Sequence, residues 1–387
     1  MSLDQRQAAE AIMACGSDTL GHETWVCPND DHVEHQAHSC RHRSCPRCHG
    51  TQTHDWLDKT TARLLPCDHY HVVFTLPHEL NPIWQFNRRW SADHLFKAAA
   101  ETLRQLLRDE RYLGAEVGLL ASLHTWGRTL SFHPHVHVLV SGGGLVGGQW
   151  RGLAQAFLLP VGVLKAKFRG KWLAWLNSAY ERGELRLPAQ WTESEWRRTL
   201  RRVARKSWNV RIQGAYRHGD GVLNYLSRYV RGGPIKDRHI VEADEAAVVF
   251  AYRDHHDGKR KTLRLTQEHF ISRVLWHVPN KGQHNVRYYG LYVPAAKEQR
   301  DRVREQLAAE RGEAVVERPR RQRHCPVCGG VLWHRMSTRR QISSIRSNPR
   351  PLGTCGEAVV QQVVERDRSG PCRPLGPGSI HDAAGFC

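Results

Sequence analysis

Residues 133–140 read His-Pro-His-Val-His-Val-Leu-Val, an alternation that can do chemistry. Successive side chains of a strand point to opposite faces, so His135 and His137 project together while Val136 and Val138 enter a core. Two imidazoles about 7 Å apart along the backbone can share a cation or a phosphate. His133 can join that face, although Pro134 bends the start of the run. His124, on the preceding apolar run, is a candidate third ligand if the two strands pair, and a Gln, Asp or Glu from elsewhere would serve as well. Ligand softness favours zinc, copper or nickel over magnesium for such a site. The plainer alternative is an edge strand with exposed histidines.

A second candidate is the run 220–234, Asp-Gly-Val-Leu-Asn-Tyr-Leu-Ser-Arg-Tyr-Val-Arg-Gly-Gly-Pro. It reads as a short helix begun by Asp220 and stopped by Gly-Gly-Pro. At about 100° per residue, Tyr225 and Tyr229 stand about 40° apart, beside the stripe Val222, Leu226, Val230. Tyrosine is among the few side chains able to attack and hold a covalent intermediate. Arg228 and Arg231 lie close enough to help bind phosphate. Taken alone, two tyrosines at this spacing would more simply seal a core edge, and only the histidine strand gives the pair meaning.

The cysteines form a third group. Cys45-Pro46-Arg47-Cys48 is the short loop in which two thiolates face one tetrahedral ion, and Cys40 and Cys27 precede it. Cys27 opens another half-site, but Asp30 occupies the place of its expected partner cysteine. His32 or Cys40 would complete a zinc site with Cys27, Cys45 and Cys48, with Cys15 and Cys67 more distant reserves. Cys325-Pro326-Val327-Cys328 followed by two glycines looks like a further knuckle, for which Cys355 and Cys372 are candidate partners. Eleven cysteines, an odd number in a long chain, fit metal ligation better than a disulfide framework.

These groups need elements to hold them. Residues 1–66 are rich in His and Cys and poor in long apolar runs, as a small metal-stapled domain would be. From 70–76 the texture turns to strands and helices: strands over 117–125, 135–140, 209–216, 247–253, 261–265 and 286–293, and helices over 84–108, 164–180, 191–206 and 266–276. Strands interleave with helices and include two hairpins, so α+β with an antiparallel or mixed sheet is expected, without a Gly-rich phosphate loop. Helix 191–206 opens on Thr192-x-x-Glu195, a capping box. It carries Arg197, Arg198, Arg201, Arg202 and Arg205 around its polar faces, which read as a solvated surface or a clamp on backbone phosphates.

The chain has 387 residues, and 57 Lys+Arg against 38 Asp+Glu give a net charge of +19. Forty-six of the basic residues are arginines, whose planar forks suit bidentate phosphate contacts. An apolar content of 40% supports a real core. No run is long and apolar enough to span a membrane, and the start lacks a signal-peptide apolar region. A cytoplasmic polyanion binder is expected. Residues 315–350 contain nine arginines and one acidic residue, and a Pro/Gly/Ser-rich end follows; together they read as a basic, weakly structured tail.

In combination these motifs are familiar. The sequence resembles the rolling-circle insertion-sequence transposases of the HUH two-tyrosine class, the "ninety-one" group. The resemblance rests on Cys15, Leu20-Gly21-His22, Cys27, His38-Ser39-Cys40, Cys45–Cys48, residues 71–77, 123–127, 133–144, 225–231 and 270–279, and spans about residues 12–293. Residues 294–387, read as a helix plus a basic, knuckle-bearing, weakly ordered tail, lie outside the resemblance, which implies a zinc-binding domain over 1–66 and a catalytic domain with a central antiparallel HUH endonuclease-like sheet and flanking helices over 67–293. It also implies magnesium or manganese at His135 and His137, attack by Tyr225 and Tyr229 on single-stranded DNA, and 5′-phosphotyrosine intermediates. The substrates implied are hairpin-bearing element ends and target strands in a bacterial cytoplasm. Asp30 departs from the family pattern of the first cysteine pair. Two rivals remain at this stage: a replication initiator or relaxase, with the same chemistry, and a non-catalytic zinc-dependent DNA-binding protein.

Overall fold

The first helix, α1 (Leu3–Met13), starts at a full capping box. The Ser2 hydroxyl accepts from the Gln5 N–H, and the Gln5 side chain accepts from the Ser2 N–H at 2.8 Å. A computed structural model describes residues 1–48, 51–154, 158–217, 220–226, 233–254, 256–311 and 322–338. After α1 come the hairpin strands β1 (His22–Val26) and β2 (Val33–Ala37), a cysteine-bearing loop, and α2 (Thr51–Thr61).

The central sheet then begins with β3 (His69–Thr75). Helix α3 (Asn81–Phe86) and helix α4 (Arg88–Leu107) replace the single helix expected over 84–108. The break falls at Asn87, at φ −130° and ψ 45°. Its side-chain amide donates to the carbonyls of Ile83 and Arg186 while its oxygen accepts from the Arg186 N–H at 2.8 Å. Asn87 thereby binds a distant loop with its side chain, an option that a sequence pattern does not reveal.

Strands β4 (Glu116–Trp126) and β5 (Phe132–Val146) pair antiparallel, as expected, and β6 (Gln149–Gly152) folds back on β5. Helices α5 (Val161–Glu181) and α6 (Glu193–Arg205) precede β7 (Val210–Tyr216), after which α7 (Asp220–Tyr225) begins the tyrosine segment. A smaller sheet of β8 (Ile240–Ala243), β9 (Ala247–Arg253) and β10 (Arg260–Thr266) is covered by α8 (Gln267–Trp276). Strand β11 (Val286–Gly290) returns to the edge of the central sheet, and α9 (Lys297–Arg311) follows. The central order is β11-β4-β5-β3-β7 with every pairing antiparallel. The fold is α+β.

Two faces of that sheet have separate tasks. Val72, Phe74, Val136, Val138, Leu119 and Ala121 point to one side and pack against α3, α4, α5 and α6 in the main core. In α4 the buried residues Ala92, Leu95, Phe96, Ala99, Leu103 and Leu106 follow helical spacing, and the alanines let the helix approach the strands closely. The opposite face bears His71, His137, Leu120 and Leu139, and a smaller core forms there with Leu65, Val222, Tyr225, Leu226, Leu291 and Tyr292. On this side Gly118 makes room for Tyr292, because a Cβ at that position would lie 2.7 Å from the ring.

The tail differs from expectation. Residues 322–338 carry a strand, β12 (Trp333–Ser337), which adds to β1 to give the order β12-β1-β2. The composition of 315–350 hid this strand, because its partner lies about 300 positions earlier in the chain. Among the described residues no helix is long and apolar enough to cross a membrane.

Candidate metal centre

The histidine strand behaves as its alternation requires. β5 places His135 opposite His124 of β4 and His137 opposite Ser122, with Thr75 and Val73 of β3 as their partners on the other side. The ligand nitrogens of His124, His135 and His137 all lie within 4.8 Å of one another. Ring centroids are 4.5 Å apart for His124 and His137 and 4.8 Å for His135 and His137. His124 is also stacked on Trp126, at 4.5 Å and nearly parallel. His133, the possible fourth member, is exposed, with its ring 5.2 Å from that of His135.

Hydrogen bonds set which nitrogens face inward. The His135 Nδ1–H donates to the His133 carbonyl oxygen at 2.6 Å, so its Nε2 is the nitrogen that keeps a lone pair able to ligate. His71 Nδ1 meets Gln213 Oε1 at 2.7 Å, and His71 Nε2 meets His137 Nδ1 at 2.8 Å. Since the amide oxygen can only accept, His71 donates from Nδ1. Its Nε2 then accepts the His137 Nδ1 proton, leaving the His137 Nε2 lone pair for a cation. Burial and the neighbouring imidazoles hold these rings neutral. His135 is pushed down to about 3 by burial and by His133 and His71, and His71 to about 4 by burial. His137 falls well below the ordinary imidazole range through burial and its contact with His124 and His135. Neutral imidazoles are the form that ligates a metal.

Tyr225 lies beside this network. Its ring is 4.7 Å from His71, edge to face, and 5.4 Å from Tyr216, and the residue is fully buried. Tyr216 reaches this face because the β3–β7 register slips: His71 pairs with Gln213, but His69 pairs with Tyr216. The extra residue of this bulge turns Tyr216 inward. Tyr229, Arg228 and Arg231 lie outside the described residues. Helix α6 carries its five arginines in exposed positions, yet it packs through Trp196 and Val203 on the core face of the sheet, opposite the histidines. Arg197 and Arg198 pair with Glu193 and Glu195 of the same helix. The Thr192 cap is present as an acceptor for the Glu195 N–H at 3.3 Å. Arg211 is the basic residue that sequence reasoning missed. It is exposed on β7, two positions before Gln213 and so on the histidine face.

The cysteine groups come out differently from the sequence expectation. Cys40, Cys45 and Cys48 are joined by Cys15, not by Cys27 or His32. The Cys40 N–H donates to Cys15 Sγ at 3.4 Å, and Cys40 Sγ lies 3.6 Å from Cys48 Sγ. Arg41, at φ 56°, turns the loop so that the His42 N–H reaches Cys40 Sγ at 3.5 Å. Cys27 lies in a separate group with Asp30, Cys325 and Cys328. His32 serves that group through its backbone, its N–H donating to Asp30 Oδ1 at 2.7 Å. Cys15 stood only as a distant reserve, because a position just past the end of α1 and 25 residues before Cys40 has no local spacing to mark it. Cys325 and Cys328 were legible as a pair, but Cys355 and Cys372, their suggested partners, lie outside the described residues.

Comparison with known proteins gives a consistent answer. The family model described as "Transposase zinc-binding domain" matches residues 1–76, and the one described as "Putative transposase" matches residues 118–300. The chain is 37% identical over 307 residues to "Putative transposase y4qJ" of Sinorhizobium fredii, an alignment covering 78% of this chain and 77% of that protein. It is 33% identical over 291 residues to "Transposase for insertion sequence element IS801" of Pseudomonas savastanoi pv. phaseolicola, covering 72% and 68%. No solved structure matches. With two such relatives covered over more than two thirds of their length, and the four-cysteine cluster inside the matched domain, the chain belongs to the insertion-sequence transposases of the "ninety-one" group, with their zinc-binding domain at its N-terminus.

Proposed function

We propose that this transposase nicks and rejoins single-stranded DNA through covalent tyrosyl intermediates. The observation that supports this reading most is the convergence of His124, His135 and His137, with Tyr225 one ring away across His71. These imidazoles would hold a divalent ion, magnesium or manganese, which when bound supplies positive charge to polarise a scissile phosphate. His71 and Gln213 keep the His137 tautomer that points a lone pair at the ion. A tyrosine hydroxyl, from Tyr225 or Tyr229, attacks phosphorus in line. The new bond is tyrosine oxygen to phosphorus; the departing oxygen takes a proton and becomes a free 3′-hydroxyl, and the DNA stays attached as a 5′-phosphotyrosine. Two tyrosines would let a second strand be cleaved before the first link is resolved, as joining element ends to a target requires.

In the same reading, zinc is held by Cys15, Cys40, Cys45 and Cys48 and orders the N-terminal domain. Arg211, Arg228 and Arg231 are the candidate phosphate contacts near the reaction. Arg197, Arg198, Arg201, Arg202 and Arg205 would act as a backbone clamp on a strand passing the far side of the sheet.

The test incubates the purified protein with labelled single-stranded DNA carrying the element end, in manganese or magnesium. A covalent adduct resistant to denaturation should form, vanish in the double Tyr225→Phe, Tyr229→Phe variant, and weaken strongly in His137→Ala. An adduct that survives loss of both tyrosines would refute the assignment of the nucleophile.

A further inference from the structure

Cys27, Asp30, Cys325 and Cys328 each bring one donor atom to a common point, all within 4.8 Å of one another. The zinc-binding match, residues 1–76, takes in Cys27 and Asp30, whereas Cys325 and Cys328 lie outside both family matches, so neither match accounts for the four together. We propose that the four residues form a second zinc site, shared between the N-terminal hairpin and residues 322–338, which clasps distant parts of the chain together.

The geometry supports a tetrahedral ion. Cys27 Sγ lies 3.4 Å from Cys328 Sγ, and Cys325 Sγ lies 3.3 Å from Asp30 Oδ2. A zinc–sulfur bond of about 2.3 Å implies donor separations of about 3.8 Å, which a small adjustment reaches. The two loops are also built alike. Each begins Cys-Pro, and in each the N–H two positions on donates to the first sulfur at 3.4 Å, from Asn29 to Cys27 and from Val327 to Cys325. The Gly330 N–H donates to Cys328 Sγ at 3.4 Å. The loops approach so closely that a Cβ at Gly330 would lie 2.6 Å from Asn29 Nδ2 and 3.3 Å from Cys328 Sγ.

Hydrophobic burial is too slight to hold the segment by itself. All five residues of β12 are exposed. The local apolar cluster comprises Cys27, Cys325 and Leu332, with Trp25 packed beside it, so two of its three buried members are the proposed ligands. Units with so small a core need a staple. Asp30 in place of a fourth thiolate keeps the donor charge equivalent, because a carboxylate also carries one negative charge. Its harder oxygen makes this site more exchangeable than the four-cysteine site. The clasp is independent of the nicking reaction proposed above.

Zinc analysis of the full chain should find two ions per molecule, falling to one in the Cys325→Ser, Cys328→Ser double variant and staying at two in Asp30→Cys, with slower release to a chelator. The wild-type protein gives a second readout that does not depend on a variant folding. Cys328 is solvent-exposed, so without a bound ion it should react with an alkylating reagent at once. If the site holds zinc, Cys328 is protected until a chelator is added, after which Cys27, Cys325 and Cys328 are labelled together; buried Cys67 is the internal control. Two zinc ions retained in the double variant, equal labelling of Cys328 before and after chelation, or labelling that requires a reductant, as a Cys27–Cys328 disulfide would, each overturns the proposal.

Discussion

At the scale of residues, the interest lies in the side chains behind the proposed metal ligands. Gln213, His71 and His137 form a line of hydrogen bonds in which each proton position follows from the next, and that line ends on a lone pair facing His124 and His135. His71 and Gln213 are direct partners across β3 and β7, so the orientation is built into strand register. Replacing Gln213 with Leu removes the acceptor that selects the tautomer without introducing bulk. We expect manganese affinity to fall about 10- to 100-fold, the usual range for loss of a partner behind a ligand. Calorimetric titration of Gln213→Leu and Gln213→Glu would check this. Retention of affinity in the first would show that His137 needs no such support, whereas the second, which keeps an acceptor, should bind near wild-type strength.

At the scale of elements, the turn between β4 and β5 is held from outside by α8. Residues 127–131 close tightly, with Gly127 and Ser131 bonded at 2.9 Å and Leu130 in the left-handed region at φ 60°. The Leu130 side chain is buried against Ile235 and Phe250 of the smaller sheet's cluster. His277, just past the end of α8, meets the Leu130 carbonyl at 3.2 Å and Thr125 Oγ1 at 3.1 Å. Burial, with Arg88 and Arg273 nearby, pushes His277 down to about 3. The unfolded chain binds this proton near pH 6.5 and the folded one only near pH 3. Its stabilising share is therefore complete above pH 6.5 and lost as pH falls toward 3, at about 1.4 kcal/mol per pH unit. Urea unfolding of wild type and His277→Gln between pH 7.5 and 5 should show a shallower decline in the variant, because its amide does not titrate. Parallel declines would show that His277 is protonated in the folded protein.

At the scale of the whole molecule, the charge surplus divides unevenly. Seven arginines and four acidic residues lie beyond position 338, a net of +3 out of +19. Truncation after Thr338 should leave zinc content and the proposed nicking unchanged, and reduce the slope of log affinity against log salt by no more than about 6, the most that its seven arginines can contribute. Truncation after residue 312 is a different experiment, since it removes β12, Cys325 and Cys328. We expect it to lose one zinc ion and leave β1 without a partner on its outer edge. Equal zinc content in the two truncations would contradict this division of the tail.

The sequence by itself determined whatever depends on short-range geometry. The period-two pattern of residues 135–140 put both histidines on one face and the valines on the other, and the Thr192 half of the expected capping box and the run 247–253 likewise read correctly, while the Glu195 side chain pairs with Arg198 instead. The pairing of His124 with His135 was conditional in the sequence and became definite with the β4–β5 register. Only the tertiary structure decided that Cys15 completes the first cysteine cluster, that Cys27 and Asp30 face Cys325 and Cys328, and that His71 and Gln213 stand behind His137. The physical reason is common to all three. Strand alternation and helix caps are set by bonds and sterics within a few residues, whereas contacts between positions tens or hundreds of residues apart depend on how sheets and loops close in space.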